Sequence, residues 1–313
     1  MKRSETSGPV VALDVGGTTI KGAVLDENGA VLSRHRWLTP TSDGPDSVVD
    51  AVLRATDELL LHADGVVAIG LVVAGLVDDH AGIAIYSENI HWHDIPFRKL
   101  ISERTGLPVG FGHDVRAGGL AERALGAARG VDDVLFMPIG TGISGAMYIA
   151  GHLVEDKYAG EIGHIDVGSG ELCACGARGC LESIASAASI ARRYKVATGR
   201  PTAGALEVLQ LMESGDQAAA IVWNDALDAL ARALVTYISL LAPKLIVIGG
   251  GLSSAGALLL DPLRLRIRDL LVWQQEPQIV AARFTDNAAC IGAALLAREA
   301  LAMIKIPQEQ EHQ

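Results

Sequence analysis

VVALDVGGTTIKGAVLDENGAVLS, residues 10–33, decides how this chain folds. Val10 to Asp14 is a short apolar run with the pattern of a buried strand. It leads into Gly16-Gly17-Thr18-Thr19, and an alternating stretch from Ile20 to Asp26 follows. Glu27-Asn28-Gly29 supplies a turn, and Ala30 to Ser33 returns. The glycines therefore lie inside a β-meander, not between a strand and a helix.

Further along, the plan recurs. Met137-Pro138-Ile139-Gly140-Thr141-Gly142, with the stretch to Tyr148, is again an apolar strand, a Gly/Thr turn and a second strand. On pattern alone, an internal duplication and the coincidence of two Gly-rich hairpins account equally for the echo. A third glycine turn, Gly249-Gly250-Gly251, follows the strand Leu245 to Ile248. Glycine lets backbone approach a polyanion, and threonine hydroxyls and amides can donate to phosphate oxygens. No GxxxxGK[ST] stretch is present, which argues against a P-loop enzyme. Three such turns fit a nucleotide held between two lobes.

Other elements fill the space between the turns. Asp46 is placed to cap a helix whose apolar face carries Val48, Val52, Leu59 and Leu60. Val66 to Val73 is a continuous apolar strand ending at Ala74-Gly75. Val109 to Phe111 delivers His113 and Asp114 to a strand end ahead of a helix from Val115 to Leu125. Ser186 to Ala242 is largely helical in pattern, and Ala288 to Met303 reads as the last helix before a polar tail, PQEQEHQ, expected to fray.

The bulk properties narrow the function. Half of the 313 residues are hydrophobic, enough for two domains or one large one. A net charge of −11 speaks against nucleic-acid or polybasic membrane partners, and 4% aromatic content against a base-stacking platform. No apolar segment is long enough to span a bilayer and no signal peptide is evident, so a cytoplasmic protein is expected. Cys173, Cys175 and Cys180 are bunched, which suits metal binding better than a disulfide framework, and Cys290 stands apart.

LDVGGTTIKGAVLDENG, IGTGISGAMYIAGHL, EIGHIDV, CACGARGCLE and IGGGL occur in the order and spacing of the ROK family of repressors, open reading frames and kinases, which this chain resembles over nearly its whole length. The resemblance implies an α/β fold of two actin-like (ribonuclease-H-like) domains with an interdomain active-site cleft. Residues 1–115 would form the first domain, with a helix of about 288–313 packing back on it, and 116–287 the second. It implies a sugar kinase using ATP and Mg²⁺, commonly a homodimer, that phosphorylates a hexose or N-acetylhexosamine.

Residue by residue, the resemblance makes Asp14 the acid that positions magnesium. Gly16, Gly17, Thr18, Thr19, Gly140, Thr141, Gly142, Gly250 and Gly251 would hold the nucleotide. Asp114 would be the general base, although an Asp ahead of a helix is by itself more often an N-cap. Gly75, Asn89, His113, Asp114, Glu161, His164 and Glu182 would meet the sugar; taken alone, Glu161 and Glu182 read as surface acids. The family usually reads Asn-Asp-Ala-Asn where this chain has His113-Asp114-Val115-Arg116, so the sugar's identity is left open. His164, Cys173, Cys175 and Cys180 form a Cys₃His set suited to structural zinc. His91 and His93 flank Trp92, where one strand face could carry both, and Asp78-Asp79 reads as a pair of turn acids. A non-catalytic sugar sensor and a polyphosphate-using glucokinase are the alternatives. The sensor is disfavoured because only about ten residues precede the first strand, too few for a DNA-binding segment.

Overall fold

The computed structural model describes residues 7–304; the frayed tail expected at PQEQEHQ lies outside them. The chain divides into two compact units. One comprises the described residues up to Ala121 and those from Asn287 onward, and the other is Glu122–Asp286.

In the first unit, β1 (Val10–Val15), β2 (Thr19–Leu25) and β3 (Val31–Leu38) form the meander that the sequence predicts. Asp26 closes its second turn, accepting from the amides of Asn28 and Ala30. Helix α1 (Pro45–Leu60) follows. Its N-cap is Gly44 rather than Asp46, because Pro45 takes the first helical position, where its fixed φ and missing N–H cost nothing. Asp46 instead lies in the first turn. Strand β4 (Ala68–Val73) begins two residues later than the apolar run suggests. Three short strands, β5 (Leu76–Asp78), β6 (Ile83–Tyr86) and β7 (His93–Ile95), make a separate antiparallel sheet. Only His93 of the two histidines lies on a strand, because His91 has a φ of 62° that breaks the extended run. Helix α2 (Phe97–Thr105) and β8 (Val109–His113) complete this part, and α3 (Asp114–Leu125) leads from it into the second unit.

In the second unit, β9 (Val134–Pro138), β10 (Ala146–Ile149) and β11 (His152–Leu153) form another meander. Helices α4 (Leu181–Ala185), α5 (Ala187–Thr198), α6 (Ala205–Glu213) and α7 (Gln217–Leu241) precede β12 (Leu245–Gly249). Helix α8 (Ala257–Leu270) and β13 (Gln278–Ala281) end the unit. The chain then returns to the first unit as α9 (Ala288–Met303).

The two main sheets share one plan. Their strand orders are β3-β2-β1-β4-β8 and β11-β10-β9-β12-β13. In each, the meander is antiparallel and the last two strands run parallel to the first strand. This correspondence is what an internal duplication would leave.

Core packing explains which side chains the sheet spares for chemistry. On one face of the first sheet, Val11, Leu13 and Val15 pack with Val52 and Leu59 of α1 and Phe97 and Ile101 of α2. On the other, Val10, Ala12 and Ala23 pack with Ala293 and Ala297 of α9. Asp14 shares this second face by strand alternation. Helix α9 lies close on the sheet because β4 and β8 present glycine to it. A Cβ on Gly70 would fall 1.8 Å from Ala293 O, and one on Gly110 would fall 2.2 Å from Leu296 O.

Candidate active site

The parallel strands of the first sheet carry the acids at one end. Asp14 pairs in register with Val72 of β4, and Val72 with Gly112 of β8, so Asp14 and the His113-Asp114 pair lie at the carboxyl ends of strands two steps apart. At the usual spacing between strands, that is roughly 10 Å across the ladder. Open α/β sheets bind ligands outside these strand ends.

Asp14 is buried, and its Oδ2 lies 3.6 Å from Lys21 Nζ, the residue opposite it on β2. The turn beyond it is fixed by Thr39, whose Oγ1 donates to Gly16 O at 2.7 Å and whose amide donates to Thr18 O. Thr39 has no motif around it, and sequence reasoning passed over it. Asn89 lies against this turn, since a Cβ on Gly17 would come 2.9 Å from Asn89 Cβ. Gly75 has a φ of +108°, and a Cβ there would sit 2.3 Å from Tyr86 O. Its glycine is therefore required by the start of the small sheet, whatever else it contacts.

Asp114 is the first residue of α3, and its side chain is 25% exposed. Its Oδ1 accepts from the Val115 amide at 2.7 Å and lies 3.3 Å from His113 Nδ1. Arg116, in the first turn of α3, is buried. Its Nε and Nη2 both reach Asp79 Oδ2, at 3.1 and 2.9 Å. Asp78 is a turn acid, accepting from the Ala81 amide, but Asp79 is not: it anchors the start of α3. Arg98 fixes the same turn by donating to the carbonyls of Asp79 and His80.

In the second unit, two glycine turns meet. Gly250 has a φ of +71°, and a Cβ on it would lie 2.4 Å from Ile139 O. The Leu252 amide donates to that same carbonyl, and the Ile139 amide donates to Gly249 O. The start of α5 joins them, its Ala187 amide donating to Gly140 O. Glu182, on α4, turns inward: its Oε2 accepts from the Ile143 amide at 2.8 Å. It is no surface acid.

His164 ends a 3₁₀ turn, Ile162–His164, and stands between two groups. Its Nδ1 is 3.7 Å from Cys173 Sγ, and its Nε2 is 3.8 Å from Glu161 Oε2. Glu161 itself is more than half exposed. One donor atom each from His164, Cys173, Cys175 and Cys180 lies within 4.8 Å of the others. Short pairings build this geometry. The Cys173 amide donates to Ala177 O, the backbones flanking Asp166 and Cys180 pair through Val167 N to Gly179 O and Leu181 N to Ile165 O, and Asp166 Oδ1 accepts from the Gly168 amide. Buried Tyr237 holds the 3₁₀ turn from below through Ile162 O, and burial pushes its phenol well above the usual range. The thiols are not equivalent. The Ala177 amide lowers the Cys175 pKa, whereas burial, reinforced by the neighbouring thiols, pushes Cys180 up to about 12. Three sulfurs and an imidazole at these separations suit a tetrahedral, borderline-soft ion with no open position.

Comparison with known proteins identifies the family and the fold. The sequence model of the ROK family matches residues 10–300. The chain is 32% identical to a glucokinase of Thermotoga maritima over 311 residues, covering 93% of this chain and 97% of that protein. A ROK family glucokinase from Streptomyces griseus, solved in complex with glucose and AMPPNP, superimposes with a TM-score of 0.81 at 32% identity, over 93% of this chain and all of that one. A putative xylose repressor of a Caldicellulosiruptor species is 24% identical over 306 residues, 91% of this chain and 77% of the repressor. The chain thus has the two-domain actin-like fold of the ROK sugar kinases and belongs to the ROK family.

Proposed function

We propose that this chain transfers the γ-phosphoryl group of ATP to a hydroxyl of a hexose or N-acetylhexosamine, with Asp114 as general base. That it is a sugar kinase rests on glucokinase relatives matched over almost their whole length. The observation that supports the finer reading is the setting of Asp114. It is partly exposed at the end of a parallel strand, two strands from Asp14, on a helix start anchored by the Arg116–Asp79 pair.

In this account the acceptor hydroxyl donates to the Asp114 carboxylate. As its oxygen attacks the γ-phosphorus, the proton passes to Asp114, the bond to the β-bridging oxygen breaks, and ADP leaves with that electron pair. Asp14 would hold Mg²⁺ through its waters, and the ion supplies neutralising charge beside the phosphates. Gly16, Gly17, Thr18, Thr19, Gly140, Thr141, Gly142, Gly250 and Gly251 are assigned to the nucleotide. Gly75, Asn89, His113, Glu161, His164 and Glu182 are assigned to the sugar. The Cys₃His set would hold structural zinc and fix the loop that carries Glu161 and His164 and leads into Glu182.

The test is ATP consumption with a panel of hexoses and N-acetylhexosamines, with polyphosphate as a second donor arm. Turnover with ATP and at least one sugar is expected. Silence on every sugar, with sugar binding retained, would favour the sensor reading suggested by the repressor relative.

A further inference from the structure

The first unit gathers a second set of metal-ligating side chains that the kinase reading does not use. β3 is an edge strand, and Trp37 on it packs against the core beneath α1. His35, two residues earlier, faces the same side. Glu58 and His62 are four residues apart at the end of α1, where the His62 amide still donates to Leu59 O. Gly22, opposite His35 in the ladder, lets the helix come this close, since a Cβ there would meet Leu59 and Trp37 within 2.8 Å.

One donor atom each from His35, Glu58 and His62 lies within 4.8 Å of the others. His35 Nδ1 is 3.7 Å from Glu58 Oε1, and the two imidazole centroids are 4.1 Å apart. The carboxylate separation is too long for a good hydrogen bond. It is close to the roughly 3.4 Å expected of two donors sharing a tetrahedral ion at about 2.1 Å each. Both first ligands are already oriented. Glu58 Oε2 accepts from Trp37 Nε1 at 3.0 Å, leaving Oε1 towards His35, and the His35 ring stacks on Trp37 at 5.7 Å and 13°. Partners of this kind fix ligand geometry in metal sites.

We propose that His35, Glu58 and His62 form a second metal site, separate from the Cys/His cluster, that takes a borderline divalent transition ion and clamps edge strand β3 to the last turn of α1. Two imidazoles with one carboxylate select zinc, nickel or copper over magnesium or calcium. Glu58 and His62 are exposed, so water completes the coordination.

The test is titration of the full-length protein with Ni²⁺, followed by calorimetry, thermal unfolding and absorbance. The absorbance matters because a sulfur-to-nickel charge-transfer band marks any binding at the cysteines. The site predicts one nickel per chain without that band and a rise in melting temperature. In His62→Ala, affinity falls by at least about tenfold and the thermal shift disappears, while sugar-kinase turnover without nickel is unchanged. Glu58→Gln lowers affinity in the same direction. His62 is exposed, so its loss leaves the fold intact. No uptake, uptake only with the sulfur band, or uptake undiminished in His62→Ala would each overturn the site.

Discussion

Glu182 Oε2 accepts from the Ile143 amide at 2.8 Å, just beyond the Gly140-Thr141-Gly142 turn. A side chain assigned to the sugar is thus fastened to a turn assigned to the nucleotide, and a Cβ on Gly142 would come 2.5 Å from the same oxygen. Glu182→Ala should therefore raise KM for both sugar and ATP, whereas Glu182→Gln keeps an acceptor and should spare the ATP term. Steady-state kinetics on both substrates checks this. A change confined to the sugar would mean that the tie to Ile143 does not shape the nucleotide turn.

The pairing of Arg116 with Asp79 sets a second expectation. Arg116 is 7% exposed at its side chain and Asp79 31%. Asp79→Ala strands a buried guanidinium, and Arg116→Met leaves a carboxylate whose Oδ1 is already buried without a partner, so each should cost about 3 kcal/mol. The double variant should lose less than the sum of the two, as read from urea unfolding. Additive losses would mean that the pair carries little coupling.

Cys175→Ser removes one donor of the Cys₃His set. Zinc content by elemental analysis should fall towards zero, and the sugar KM should rise by about tenfold or more, with kcat less affected. Zinc loss with unchanged sugar KM would contradict the buttressing role.

Asp216 supplies a pH dependence. As N-cap of α7 it accepts from the Ala219 amide, and Tyr194 and Arg200 donate to its other oxygen. The amide first, then the phenol and the guanidinium, hold its pKa down to about 2. Because the folded value lies below the unfolded value of about 3.9, the stabilisation is complete above that pH and is lost as pH falls towards 2. Asp216→Asn keeps a capping oxygen but abolishes the titration. Between pH 5 and pH 3, the urea midpoint of the parent should fall further than that of the variant; parallel losses would refute the assignment.

What the sequence displayed, it displayed through periodicity and turn chemistry. The first meander was legible because β1 and β2 are six and seven residues long and Glu27-Asn28-Gly29 closes the next turn. The small sheet was not, because strands of three or four residues are too short for a period of two to register. Gly44 was missed as a cap because it acts through backbone conformation with no side-chain bond. The Cys/His cluster was visible because its members lie within 17 residues of sequence. Asp79 with Arg116, and His35 with Glu58 and His62, were not: each pairing joins residues more than twenty positions apart, where no local pattern links them.

The most direct test of the account replaces Asp114 by Asn and measures turnover and sugar binding on the same preparation. The Val115 amide still finds an oxygen acceptor in the variant, so the start of α3 should hold. Loss of the base should lower kcat by about 10²- to 10⁴-fold, with sugar affinity within a few-fold of the parent. Turnover near the parental rate, with binding intact, would contradict the central claim.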